Sequence, residues 1–273
     1  MLFELSMWGG AVERRYRKLR PEVERLPWGA LDLSKAKPEA ILAARTTWTE
    51  ATFQEHRTGA ACAATLQALI AARAPIDLVA MASRFTLDEM VHVEMCARLA
   101  QLLGGGAPIA YDPKGIIVLP SPELSATLAA AELVVRNFCV GEALSIPILR
   151  GSWHAARQPL IKAILARIVK DEAAHGAFGW IFLDWVDEQL TEADRLHLAK
   201  QAALTMDAVI ERWAFFPTVA NETAEDRLGW MDETTYLSVA RRSLHKVVLE
   251  PLRAHGIDPL PWMKRSIDAD SAH

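Results

Sequence analysis

The sequence predicts an all-α fold. Three observations carry this: apolar residues recur with a 3.6-residue period through four long segments, no segment alternates as a half-buried strand would, and helix-breaking residues bound each segment. With 273 residues and 51% hydrophobic content, the chain has ample material for a buried core.

Residues 1–37, which include "LRPEVERLPWGALDLSKAK", are charged and proline-punctuated and read as an N-terminal extension: a short helix, then an irregular lead-in. Within it "ERRYRKLR" at 13–20 is either a solvated helical face or a docking patch for a partner. The first long helix starts at Pro38 and places Ile41, Ala44, Trp48, Thr52, Glu55, Gly59, Cys62 and Leu66 on one face, until Ala74-Pro75 ends it. The second, about Asp77 to Leu103, carries Leu78, Ala82, Phe85, Glu89, His92, Cys96 and Leu99, and "GGG" at 104–106 stops it. A connection of about fifteen residues follows, long enough for a crossover between helices 2 and 3 along the outside of a bundle.

Ser121-Pro122-Glu123 reads as the N-cap, first residue and first-turn acid of the third helix, whose face holds Leu128, Ala131, Val135, Phe138, Glu142, Ser145 and Leu149. Pro147 removes a backbone donor one turn after Glu142, so this helix is expected to kink or open there. "ARQP" joins it to the fourth helix, from Pro159 to about Leu190, with Ile161, Leu165, Ile168, Glu172, His175, Gly179, Phe182 and Val186 on its face. Two additional C-terminal helices, about Thr191 to Phe215 and Glu233 to His255, flank the polar break "PTVANETAEDRLG". The expected organisation is an extension at 1–37, the four long helices at 38–190, and C-terminal helices at 191–273 packed on them in a single structural domain.

Lys plus Arg number 30 against 34 Asp plus Glu, and this net charge of -4 argues against a nucleic-acid or membrane-surface binder. Cys62, Cys96 and Cys139 form no Cys-x-x-Cys pair and no disulfide framework, which points to a reducing compartment. The first residues lack the basic lead of a secretory signal, and no uncharged apolar run reaches the ~18 residues of a membrane span. A soluble, cytoplasmic protein is therefore expected.

"LDEMVH" at 87–92 and "KDEAAH" at 170–175 repeat an Asp-Glu-x-x-His string inside two of these apolar helices. As strings they prove little; their placement is the signal. Spacing of three puts Glu89 with His92, and Glu172 with His175, on one face, and that face is the stripe turned to the core. A lone carboxylate there costs many kcal/mol without a counter-charge. Glu55 and Glu142 interrupt the other two stripes, 34 residues before Glu89 and 30 before Glu172, distances that bring each level with its partner string in an antiparallel helical hairpin. Four carboxylates and two imidazoles then converge with no Lys or Arg on the stripes, whereas two divalent cations would balance them. Such a site suits iron or manganese better than zinc. Glu50 is the weaker candidate on the first helix, since it shares a face with Gln54 and Arg57. Asp88 and Asp171 point about 100° away, as hydrogen-bond partners for a His of a neighbouring helix or as surface acids.

The scheme of Glu55, Glu89-x-x-His92, Glu142 and Glu172-x-x-His175 resembles that of the ferritin-like, dinuclear-carboxylate superfamily, over about residues 38–190. The resemblance implies a ferritin-like four-helix bundle with those six residues as metal ligands and catalytic groups acting through the metals. The implied cofactor is two Fe ions, with Mn or a mixed Fe/Mn pair open, handling dioxygen or peroxide. By the same resemblance, Glu142 and Glu172 or Glu55 would bridge the metals.

Absences narrow the implied chemistry. A rubrerythrin would carry a Cys-x-x-Cys pair, a storage ferritin would lack the C-terminal helices, and a ribonucleotide-reductase subunit would use a Tyr near the metals, while Tyr16, Tyr111 and Tyr236 lie off the ligand helices. Ile168 occupies the position where the para-aminobenzoate N-oxygenase branch has an additional His. Aldehyde-deformylating oxygenases and tRNA-modifying hydroxylases share the two-His scheme. Thr52, Gly59, Gly141, Ser145, Gly176 and Gly179 beside the ligands could leave a substrate cavity, and Trp180 could relay electrons or simply pack. The expectation is a non-haem diiron enzyme that activates O2 to oxidise or oxygenate a small organic substrate, with a separate electron donor, no membrane partner and a homodimer left open. The alternative is a ferroxidase, iron-handling or peroxide-consuming protein with no organic substrate.

Overall fold

The computed structural model describes residues 1–213, 223 and 226–267. Among these the chain is all-helical, and its only β feature is an isolated bridge between Leu2 and Ala110. Helix α1 (Gly10–Leu19) precedes the long pair α2 (Pro38–Ala71) and α3 (Ile76–Leu102). Pro38 at the first position pre-sets the backbone for α2, and the four residues before α3 turn the chain so that the two helices pack along each other. Gly104 and Gly105 take positive φ beyond α3, a conformation that costs glycine no Cβ strain. The crossover then leads to one continuous helical rod: α4 (Ala126–Val134), a π-helical segment (Val135–Glu142) and α5 (Ala143–Ala155). Helix α6 (Pro159–Val186) folds back on α5 and also packs against α3.

Helix α7 (Glu192–Arg212) opens with a capping box between Thr191 and Asp194, and α8 (Glu233–Ser243), a π-helical stretch (Leu244–Leu249) and α9 (Glu250–Ala254) complete the described helices. Helices α7 and α8 and the stretch Leu244–Leu249 lie against the segment Val135–Glu142 and α5, so the C-terminal third covers the third long helix. Most of "PTVANETAEDRLG", with the expected end of α7 at Phe215, lies outside the described residues.

Two apolar clusters fill the interior, and the ligand candidates of α2, α3 and α6 lie between them along each helix. One contains Cys62 of α2, Phe85 of α3, Phe138 and Leu144 of the third rod, and Phe178 and Phe182 of α6. The other contains Ala44 and Trp48 of α2, Met95 and Leu99 of α3, and Ile161, Leu165 and Ile168 of α6. Glu55, Glu89, His92, Glu172 and His175 occupy the intervening stretches, so a polar layer divides an otherwise apolar core.

Several expectations shift. The N-cap of the third helix is Ser125, whose hydroxyl accepts from the Leu128 N–H, and not Ser121. Ser121 instead donates its backbone N–H to the buried Glu132 carboxylate, and Glu123 turns the chain with φ of 64°. The helix opens upstream of Pro147: the wide π turns end on Glu142 and α5 runs through the proline. Ser145 donates to the Glu142 carbonyl at 2.9 Å, a side-chain bond beside the donor that proline lacks. The basic run at 13–20 is solvated only in part, with Arg14, Arg15 and Lys18 exposed. Arg20 is fully buried, paired with Glu24 and, at 2.5 Å, with Glu94 of α3, while the Tyr16 hydroxyl donates to the Met90 carbonyl.

Three of the small residues expected to leave a cavity, Gly59, Gly176 and Gly179, instead admit neighbours. Cβ positions on Gly59 and Gly176 are taken by the side-chain ends of Met90 and Ile146, and one on Gly179 would lie 2.9 Å from the Cys139 backbone nitrogen. Backbone cannot yield as a side-chain tip can. Gly179→Ala should therefore cost about 1–3 kcal/mol in chemical denaturation, whereas Gly59→Ala, offset by better helix propensity, should stay within about 1 kcal/mol of wild type. Equal costs for the two would refute this reading of the α6 contact.

Candidate metal centre

Glu55 comes from α2, Glu89 and His92 from α3, Glu142 from the last residue of the π-helical segment, and Glu172 and His175 from α6. All six converge. Side-chain atoms of Glu55, Glu89, His92 and Glu172 lie within 4.8 Å of one another, as do those of Glu89, Glu142, Glu172 and His175. The two groups share Glu89 and Glu172. Each shared carboxylate stands beside a His on its own helix and faces the His of the other, which places both between the two groups. Glu50 is exposed and joins neither group.

The imidazoles have a defined orientation. His92 turns Nδ1 inward, 3.3 Å from Glu172 Oε1 and 3.5 Å from Glu55 Oε2; His175 Nδ1 stands 3.0 Å from Glu89 Oε1 and 3.1 Å from Glu172 Oε2. Their Nε2 atoms point outward to the aspartates that precede the opposite glutamates. His92 Nε2 lies 3.2 Å from Asp171 and His175 Nε2 lies 3.7 Å from Asp88. Each Asp-Glu-x-x-His string thus supplies an inward Glu and His and an Asp that faces the other string's imidazole, within hydrogen-bond reach in the case of Asp171 and His92. An Nε2–H donated to aspartate leaves the inward Nδ1 with its lone pair free.

Behind each Asp stands an Arg one turn earlier: Arg84 Nε is 3.1 Å from Asp88, and Arg167 pairs with Asp171. These arginines were missed because they lie off the apolar stripes. The signal existed, since "RFTLDEMVH" and "RIVKDEAAH" share Arg-x-x-x-Asp-Glu-x-x-His. Tyr16, set aside for lying off the ligand helices, reaches α3 through Met90, and Trp180 stacks on His255 with ring centroids 6.5 Å apart. Cys62, Cys96 and Cys139 are all buried, and burial pushes each thiol up, which keeps them protonated wall groups.

Whether these residues fit a metal is tested by their unmet bonding. Both oxygens of the fully buried Glu89, Oε2 of Glu172 and the inward Nδ1 atoms of His92 and His175 have no hydrogen-bond partner. Among the described residues the ion-pair contacts to Glu55, Glu89 and Glu172 come from His92 and His175 alone. Unpaired buried acceptors in convergent array are costly unless something cationic satisfies them. The donor set, oxygen-rich with two imidazoles and no thiolate, is one that could hold a metal ion. Compared with protein-family models, curated proteins and solved structures, the chain matches none.

Without metal the site balances its charge with protons. Burial, together with neighbouring carboxylates, pushes Glu55 up to about 8 and raises Glu142 well above the usual carboxylate range. Burial alone would depress His175, but contacts with Asp88, Glu172 and Glu89 push it up to about 12; His92 is raised likewise. Against burial, the charges of the adjoining His175 and His92 hold Glu172 below the usual range. Groups with raised folded pKa bind more protons folded than unfolded, so their stabilisation is present at low pH and lost as pH rises through the folded value. The metal-free chain should therefore show a thermal midpoint that falls between roughly pH 6 and pH 9. Divalent metal displaces these protons, so its stabilising shift should grow over the same window. Thermal scans with chelator and with Mn(II) check both trends, and a metal effect that shrinks with pH contradicts them.

Proposed function

We propose that the long helices α2, α3, α4–α5 and α6 form a ferritin-like bundle around a dinuclear iron centre, and that the protein is a non-haem diiron enzyme. In this reading it activates O2 to oxidise or oxygenate a small organic substrate, with reducing equivalents from a separate donor. One observation carries it: two overlapping ligand groups share Glu89 and Glu172 and leave their inward atoms unpaired inside an apolar core.

The six residues would hold the pair, Glu89 and Glu172 spanning both positions, Glu55 with His92 completing one, and Glu142 with His175 completing the other. When bound, iron, or manganese in its place, supplies the redox chemistry toward dioxygen that no side chain offers. The chain's contribution is to orient and to exclude water. Asp171 holds the His92 ring by its Nε2 edge, and Asp88 faces the Nε2 edge of His175. Phe85, whose ring centroid is 4.3 Å from that of His175, packs with Phe138 and Phe178 as a wall on the His175 side, and Cys96 closes the His92 side. An apolar wall suits an apolar organic molecule better than hydrated iron in transit, which supports oxidation over storage.

The second reading, a ferroxidase or iron-handling protein without organic substrate, draws support from the side chains of Met90 and Ile146 that fill the space beside Gly59 and Gly176. Met90 has the freedom to move aside, and the first reading uses that freedom.

Elemental analysis after anaerobic Fe(II) loading should find two irons per chain in the wild type and close to none in the Glu89→Ala, Glu172→Ala double variant. Mixing the loaded wild type with O2 should consume oxygen and produce a transient absorbance. A wild-type chain that retains no metal, or whose reduced form leaves O2 untouched, sinks the proposal. Ferric iron accumulating well beyond two per chain decides for the second reading.

A further inference from the structure

We propose that the N-terminal extension is a positioning element for one of the two metal subsites, acting from Glu22 through Arg167 and Asp171 on His92. This rests on the dinuclear reading above and adds to it a built-in inequality between the subsites. The two halves share the pattern Arg-x-x-x-Asp-Glu-x-x-His, yet the structure finishes them differently.

In the His92 half the contacts run without a break from the imidazole to Glu22. His92 Nε2 stands 3.2 Å from Asp171 Oδ2, Asp171 pairs with Arg167, and Arg167 Nη2 donates at 2.7 Å to Glu22 Oε1. The Arg167 side chain is only 13% exposed, and its guanidinium is held from both sides by carboxylates. In the His175 half the imidazole is 3.7 Å from Asp88, His175 Nε2 has no hydrogen bond, and Asp88 leans on Arg84, whose side chain is 69% exposed. Among the described residues Arg84 makes no ion pair beyond Asp88. A solvated Arg holds its partner weakly, whereas a desolvated one anchored at both ends limits how far the carboxylate, and so the imidazole, can turn.

Glu22 is itself well placed to serve as the anchor. It lies between α1 and a 3₁₀ turn at Val23–Arg25, and the segment is docked on α3 independently of Arg167. Arg20 is buried against Glu24 and Glu94, Tyr16 bonds to the Met90 carbonyl, Val23 is fully buried, and the Arg98 guanidinium lies 3.8 Å over the Trp28 ring. Glu22 therefore does not depend on Arg167 for its position; Arg167 takes its position from Glu22. The geometry gives the His92 subsite the more rigid imidazole and makes its affinity depend on the N-terminal extension, which supplies none of its ligands.

Co(II) titration of the full chain near neutral pH, followed by calorimetry and visible absorption, tests this. Wild type should take up two unequal equivalents. Glu22→Gln should weaken one of them about tenfold or more and alter its absorption band, with the other unchanged. Glu22→Asp should restore much of the loss, and Arg167→Gln should affect the same equivalent. Arg84→Gln should act on the other equivalent, by less. The thermal midpoint of metal-free Glu22→Gln should stay near wild type, because the Glu22 side chain is 41% exposed. Two equivalents in the wild type with both affinities untouched by Glu22→Gln and Arg167→Gln, or both reduced alike, overturn this inference while leaving the dinuclear reading intact. A wild-type chain that takes up no Co(II) overturns both.

Discussion

A layer of carboxylates and imidazoles inside an apolar core is the constraint on which the rest of this structure depends. Four glutamates cannot be desolvated together unless their charge is met, by protons shared with His92 and His175 or by bound cations. Everything near the layer serves that requirement. Two apolar clusters, one built around Phe85, Phe138 and Phe178 and the other around Trp48, Met95 and Leu99, hold the helices at close packing above and below it. Gly179, against the Cys139 backbone, lets α6 approach the third rod closely enough for Glu142 and Glu172 to share a group.

The π-helical segment and the aspartates solve the second problem, which is aim. An ordinary α-helix fixes side-chain direction by its period, and a wide turn resets that direction for every residue after it. Here the wide turns end on Glu142, the only ligand candidate contributed by its rod. Its aim is thus set by local backbone widening. The imidazoles are aimed differently, by Asp171 and Asp88 reaching across from the neighbouring string. Although the Asp in each repeat looks incidental beside the Glu and His, it connects the site to Arg84, Arg167 and Glu22.

The proposed oxidation chemistry and the alternative of iron handling share this site and differ in what surrounds it. Phe85, Phe138 and Phe178 present an apolar wall on the His175 side, the feature on which the proposed oxidation rests. Met90 and Ile146 occupy the small-residue spaces that would otherwise receive one. The two observations meet in the flexibility of those side chains, since Met90 reorients at little cost.

Local periodicity is why so much was legible from sequence. The faces of α3 and α6 are buried residue for residue as the 3.6 period indicates, and Glu55, Glu89, His92, Glu142, Glu172 and His175 stand out because each breaks such a face. Helix ends at Pro38, Pro75, Gly104 and Pro159 follow from backbone chemistry that any single residue carries with it. By itself, then, the sequence determined the helices, their buried faces and the six residues that meet between them. Tertiary structure alone decided which glutamates lie between the two groups, where the third helix opens, whether glycines leave space or are filled, and that Glu22 meets Arg167 across 145 residues of chain. The reason is physical: burial periodicity is a property of neighbours within one helix, whereas an ion pair between distant segments or a side chain filling a gap depends on distances that exist only once the helices are packed.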